Sequence, residues 1–218
     1  MFGLLAAVAL VLPSVPAAAQ TLTLTALGDS LTQGYGLPEE EGFVPVLEAW
    51  LAGRGHDVRV INAGVSGDTT AGGAARIDWT LADEPDALIV ALGGNDLLRG
   101  IDPAASRANL AAILKAAQAA DVPVLLAGLP APGNYGPEFK RDFEAMYADL
   151  SEEFGTLHYP DFLGPIGEKA SQGLSLSDLM QDDRIHPNAE GVRQIVAAMG
   201  PMVEDLLDRA RAAPAADG

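Results

Sequence analysis

Ala87-Leu88-Ile89-Val90-Ala91-Leu92 is an unbroken apolar run, and Gly93-Gly94-Asn95-Asp96 stops it abruptly. A strand with one wet face would alternate apolar and polar residues, and this run does not. It reads as a strand covered on both faces, the environment of a parallel sheet. Outward from it, stretches 22–27, 58–62 and 122–129 read as further strands, with a weaker one at 156–159. Helical patterns fill the intervals, at 44–52, 70–82, 104–120, 137–154 and 189–210. The pattern at 104–120 follows Pro103 and closes on Asp121-Val122-Pro123, both boundary signals. This alternation predicts an α/β fold, a five-stranded parallel sheet with helices on both faces. Stretches 130–137 and 164–178 are expected to be irregular, and 212–218 to be a disordered tail.

The bulk composition narrows the classes. A chain of 218 residues that is 49% hydrophobic can bury the core of one domain, expected over 20–211. The formal net charge is −17, with the acids scattered, which disfavours nucleic acid and anionic membrane surfaces as partners. Cysteine is absent, which removes disulfides, thiolate metal sites and a cysteine nucleophile. At the N-terminus, Phe2 to Leu12 is apolar apart from Gly3, then come Pro13, Pro16 and Ala17-Ala18-Ala19-Gln20. That order describes a secretory leader cleaved after Ala19, and export to the periplasm or medium. The run is too short to span a bilayer, which takes about 20 apolar residues. No Lys or Arg precedes it, so either the amino terminus alone carries the positive charge or the true start lies upstream.

In a parallel sheet, ligands bind beyond the carboxyl ends of the strands, so chemistry should collect there. The first strand ends in Gly28-Asp29-Ser30-Leu31. Gly28 would let the chain turn without a Cβ clash, and Ser30 either caps a short helix or presents a nucleophilic hydroxyl. The second ends in Asn62 to Thr69, where Gly67 could expose its N–H and Asp68 suits a helix cap; Ser66 is a rival nucleophile. The third ends in Gly93-Gly94-Asn95-Asp96, where Asn95 either closes an Asx turn or offers an uncharged donor to an oxyanion. Before the last helix stands Asp183-Arg184-Ile185-His186-Pro187. Pro187 suits a first helical position and holds His186 extended, and Asp183 can fold over the imidazole; the other reading of His186 is a helix cap. His56 and His158 have no such neighbour and read as surface or strand-edge residues. Together Ser30, His186 and Asp183 supply the parts of a serine hydrolase. The G-x-S-x-G elbow, the P-loop and the dinucleotide fingerprint are absent, and no His/Asp/Glu spacing suggests a metal site.

Over nearly its whole mature length the chain resembles the SGNH hydrolases, also called the GDSL esterase/lipase family. It looks closest to the exported thioesterase I, lysophospholipase and arylesterase branch. The resemblance rests on Gly28-Asp29-Ser30-Leu31, on Asn62 to Thr69, on Gly93 to Asp96 and on Asp183 to Pro187. It implies Ser30 as nucleophile, Asp183 and His186 as its partners, and an oxyanion hole from Ser30, Gly67 and Asn95. It also implies substrate contacts at Asp29, Leu97, Leu98, Tyr135 and Ile185, a flavodoxin-like three-layer sandwich, and no cofactor. One position departs: where the family often has glycine after the triad aspartate, this chain has Arg184. The implied reaction is hydrolysis of carboxylic esters, either aryl and short-to-medium acyl esters, lysophospholipids or acyl thioesters. A carbohydrate acetyl esterase and a non-catalytic binding module on the same fold are the alternatives. The partner expected is a small-molecule ester, with no stable membrane insertion; oligomeric state is not legible.

Overall fold

The computed structural model describes residues 21–212. The expected leader and its cleavage site lie outside the described residues, as does the tail beyond Ala212. Five strands, β1 (Leu22–Gly28), β2 (Val58–Gly64), β3 (Ala87–Ala91), β4 (Val124–Ala127) and β5 (Leu157–Tyr159), form one sheet in the order β2-β1-β3-β4-β5. Every pairing is parallel. Central β3, whose apolar run predicts cover on both faces, is buried at each of its positions.

The cover comes from two layers of helices. From β1 the chain crosses outward to β2 through α1 (Ser30–Gln33) and α2 (Phe43–Gly53). It returns to β3 through α3 (Thr70–Leu81). With right-handed crossovers, opposite directions of travel put α2 and α3 on opposite faces. The long final helix α8 (Ala189–Ala212) packs beside α2, with α7 (Gly164–Ser171) against it. On the other face α5 (Pro103–Ala119) packs between α3 and α6 (Pro137–Phe154). The strand order is the flavodoxin-like one, and it reverses at β1. A crevice therefore opens above the carboxyl ends of β1 and its neighbours.

Local differences from expectation have local causes. The β4 strand is shorter than 122–129, because Asp121 turns left-handed at φ 55° and the Val122 N–H closes α5 on the Ala117 carbonyl. Pro123 offers no N–H to a ladder. Stretch 164–178 is not wholly irregular; Gly164–Ser171 is helical, with Pro165 in the first turn where a missing N–H costs nothing. A further short helix, α4 (Gly94–Leu98), begins directly after β3.

Candidate active site

At the end of β1 the aspartate, not the serine, caps the helix. Asp29 accepts the Leu31 N–H at 3.0 Å, which leaves Ser30 as the first residue of α1 with its hydroxyl free to face the crevice. Gly28 is needed for room rather than for a special dihedral. A Cβ there would stand 1.9 Å from Thr32 Oγ1 and 2.9 Å from the Ala91 carbonyl.

The β2 loop is held from outside. Gly67 has φ 82°, a left-handed conformation that favours glycine, and Arg99 Nη2 donates to its carbonyl at 2.8 Å. Asp68 does not cap α3; Thr69 accepts the Gly72 N–H, while Asp68 takes Arg76 Nε at 2.8 Å. The same guanidinium donates to the Ala63 carbonyl at 2.7 Å and the Gly28 carbonyl at 2.9 Å. One arginine thus ties the ends of β1 and β2 together. Ser66 donates to Gln33 Oε1 at 2.9 Å and has no imidazole beside it.

After β3 the chain passes through Gly93 at φ 120° into α4, and Asn95 donates its amide to Asp29 Oδ2 at 3.3 Å. Fully buried Asp96 accepts the Thr70 N–H and the Ser106 hydroxyl, each at 2.8 Å, and the Thr70 hydroxyl as well. A buried carboxylate with three donors is well satisfied, and it locks this turn to α3 and α5.

The chain's far end brings an imidazole to the serine. His186 Nε2 lies 2.8 Å from Ser30 Oγ, across 156 residues of sequence. Its Nδ1 lies 2.6 Å from Asp183 Oδ2. The other Asp183 oxygen accepts the Ile185 and His186 N–H groups at 2.9 and 3.0 Å. These bonds, the imidazole's first, draw the Asp183 carboxyl down to about 2. Asp29 moves the other way: burial raises it to about 6, against the Leu31 N–H and the Asn95 amide, which pull it down. Pro187 is not the first helical residue. It forms an antiparallel bridge with Met180, and Asn188 caps α8 by accepting the Glu190 and Gly191 N–H groups. Gln181 donates to the Tyr35 and Pro187 carbonyls and fastens the histidine loop to the loop after α1. The Tyr35 ring lies 4.7 Å from the imidazole, tilted by 40°.

A cavity of about 500 Å³ opens on the hydroxyl. Of the residues singled out in the sequence, Ser30, Gly67, Asn95, Asp29, Leu97, Leu98, Ile185 and His186 line it. Asp183 stands behind the imidazole. Tyr135 is not in the wall; its hydroxyl donates to the Leu98 carbonyl at 3.4 Å and braces α4. Most of the exposed lining is apolar, with Leu31, Leu129, Leu163 and Met180 adding to it. Sequence reading did not pick out Arg76, Gln181 or Tyr35, which reach residues distant in the chain; Arg99 stood in a loop read as substrate-side and holds the Gly67 carbonyl. Asp96 was visible inside a motif without a role. His56 does have an acidic partner, Glu204 at 2.8 Å, hidden by a separation of 148 residues.

An apolar cavity at the switch point of a parallel α/β sheet, with hydroxyl, imidazole and carboxylate in one hydrogen-bonded row, is the architecture of an acyl hydrolase. The chain belongs to the GDSL-like Lipase/Acylhydrolase family, whose model matches residues 26–194. It is 40% identical to Esterase TesA of Pseudomonas aeruginosa over 91% of this chain and 95% of that protein. It is 35% identical to thioesterase 1/protease 1/lysophospholipase L1 of Escherichia coli over 88% of each. Among solved structures, the psychrotrophic esterase EstA of Pseudoalteromonas sp., inhibited by monoethylphosphonate, superposes with a TM-score of 0.77. That match has 34% identity and covers 85% of this chain and 98% of the other. The chain is a carboxylic ester hydrolase of the SGNH fold.

Proposed function

We propose that the enzyme cleaves its esters through an acyl-enzyme on Ser30, with His186 as general base and then general acid. Asp183 holds the Nδ1–H tautomer and steadies the imidazolium. The observation that carries this reading is the 2.8 Å contact between Ser30 Oγ and His186 Nε2. As Oγ attacks the carbonyl carbon, its proton passes to Nε2 and the carbonyl oxygen becomes an oxyanion. The Ser30 and Gly67 N–H groups and the Asn95 amide receive that charge. The tetrahedral adduct then expels the alcohol, protonated by His186. Water, deprotonated by the same imidazole, releases the acid and restores the hydroxyl.

The substrate class follows from the wall. A cavity of about 500 Å³ lined by Leu31, Leu97, Leu129, Leu163 and Met180 suits a medium acyl chain or an aryl group. An acetyl group would leave most of it unfilled, which disfavours the sugar acetyl esterase. Aryl esters, medium acyl esters and lysophospholipids are the substrates we propose, and thioesters with the same acyl group would fit the same site. The apolar run from Phe2 to Leu12 and the small residues after it support export. Among the described residues no helix is long and apolar enough to cross a membrane.

The test is a p-nitrophenyl ester series from acetate to dodecanoate. We expect kcat/KM to rise from acetate to a medium-chain optimum, and His186→Ala to abolish turnover across the series. A maximum at acetate would contradict the acyl-site reading. Turnover undiminished in His186→Ala would contradict His186 as base.

A further inference from the structure

Arg184, where this chain departs from the family resemblance, carries a side chain that its backbone role does not explain. Its φ is +56°, a left-handed value uncommon outside glycine, asparagine and aspartate. That turn brings the Ile185 and His186 N–H groups onto Asp183 Oδ1, while the Arg184 N–H donates to the Gln181 carbonyl at 3.0 Å. A glycine would serve all three bonds without strain. Something other than the turn must account for the side chain.

The guanidinium has no carboxylate within 4.0 Å among the described residues, although Asp182 and Asp183 flank it. Arg54, Arg76, Arg107, Arg141, Arg193 and Arg211 all have such partners, and Arg99 and Arg209 donate to backbone carbonyls instead; among the described residues only Arg59 shares with Arg184 the lack of either. Arg184 also stands at a boundary. It lines the apolar cavity beside Ser30 and, with Met180, a second cleft of about 380 Å³. Ser175, Ser177, Gln181 and Asp182 give that cleft a polar wall.

We propose that Arg184 and this cleft form a subsite for a phosphate group carried on the leaving alcohol of the ester. The inference rests on the reading given under Proposed function. With the acyl chain in the apolar cavity, the leaving oxygen must come within reach of His186 Nε2 to be protonated. Arg184 lies two residues before His186 on the same loop, so a glycerol spacer directs its phosphate toward the guanidinium. A planar fork of N–H donors matches phosphate oxygens in pairs, and of the cleft's Ser175 and Ser177, which share a hydrogen bond of 2.7 Å, one hydroxyl can add a donor. Asp182 in the same wall repels a dianion and attracts an ammonium group. A phosphodiester bearing a quaternary ammonium therefore fits better than a phosphate monoester.

The test compares three soluble octanoyl esters below their micellar concentrations: octanoyl glycerophosphocholine, octanoyl glycerophosphate and neutral octanoylglycerol. Each protein is scored by its ratio of kcat/KM to that of octanoylglycerol, so a general change in turnover cancels. We expect wild type to favour glycerophosphocholine by about 5–10-fold and glycerophosphate by less, given one partly exposed charge-assisted contact. Arg184→Gly, which suits the left-handed turn, should bring both ratios to about one, and Arg184→Lys should restore part of the preference. High salt should compress the wild-type ratios. Unchanged ratios in Arg184→Gly would overturn the subsite while leaving the ester mechanism standing. Hydrolysis of all three esters by Ser30→Ala would instead overturn the mechanism beneath it.

Discussion

Two aspartates flank the contact between Ser30 and His186 and are built in opposite ways. Asp29, beside the nucleophile, is 2% exposed, and burial holds its carboxyl up at about 6. Asp183, behind the imidazole, lies on an exposed loop, and its hydrogen bonds hold it down at about 2. Environment rather than residue type divides the work. The exposed acid is a full anion at every working pH, suited to steadying a cation that forms during the reaction. The buried one is anchored between the Leu31 N–H and the Asn95 amide and positions the groups around the serine. On the reading proposed above, chemistry depends most on the acid that water can reach, and stability on the one it cannot.

The largest effect expected from that contrast is on turnover. Asp183→Asn should cut kcat by about 10⁴-fold, because the amide favours the wrong imidazole tautomer. Steady-state rates on a p-nitrophenyl ester read this, and a loss under tenfold would break the contrast. Next, Asn95→Ala should lower kcat by about 10²–10³-fold with little change in KM, as expected for a donor that acts on the oxyanion alone. A matching rise in KM would assign Asn95 to substrate binding instead.

The buried acid should speak through stability. Between about pH 4 and pH 6 the native chain keeps a proton on Asp29 that the unfolded chain has released, so raising the pH through this window costs stability. The whole rise corresponds to up to about 3 kcal/mol, present as a penalty above about pH 6. Asp29→Asn should remove that slope, so urea unfolding at pH 4 and pH 7 should show the variant gaining on wild type as pH rises. A constant difference between the two proteins would show that burial does not perturb this carboxyl. Asp183 has the opposite sign, contributing stability above about pH 4 that is lost as pH falls toward about 2. The smallest effect is at the rim. Arg99→Ala releases the Gly67 carbonyl and should lower kcat by roughly 3–10-fold through a looser oxyanion donor, an effect of about 1 kcal/mol.

The same contrast explains what could be read before the structure. The parallel sheet was legible because β3 is apolar without interruption, and its glycine-rich end marked the crevice. The two halves of the site were legible as short motifs, Gly28 to Leu31 and Asp183 to Pro187, since each turn is made by neighbouring residues. What escaped depends on contacts between distant residues. Arg76 joins two strand ends from α3, and Gln181 joins two loops 146 residues apart; nothing in their immediate sequence marks them. The cap of α3 was misplaced by a single residue, toward Asp68 rather than Thr69, because neighbouring polar residues compete for the same free N–H groups; Pro187, read as the first helical residue, stands two residues before Ala189, with Asn188 as the cap between them. Tyr135 sat in a motif of the right kind yet braces α4 rather than lining the cavity.

The measurement that bears most directly on all of this is where a phosphonate attaches. Intact-mass and peptide analysis after treatment with a fluorophosphonate should show one adduct per chain, on the peptide containing Ser30, and none in Ser30→Ala. An adduct on Ser66, or one that persists when Ser30 is replaced, would contradict the account.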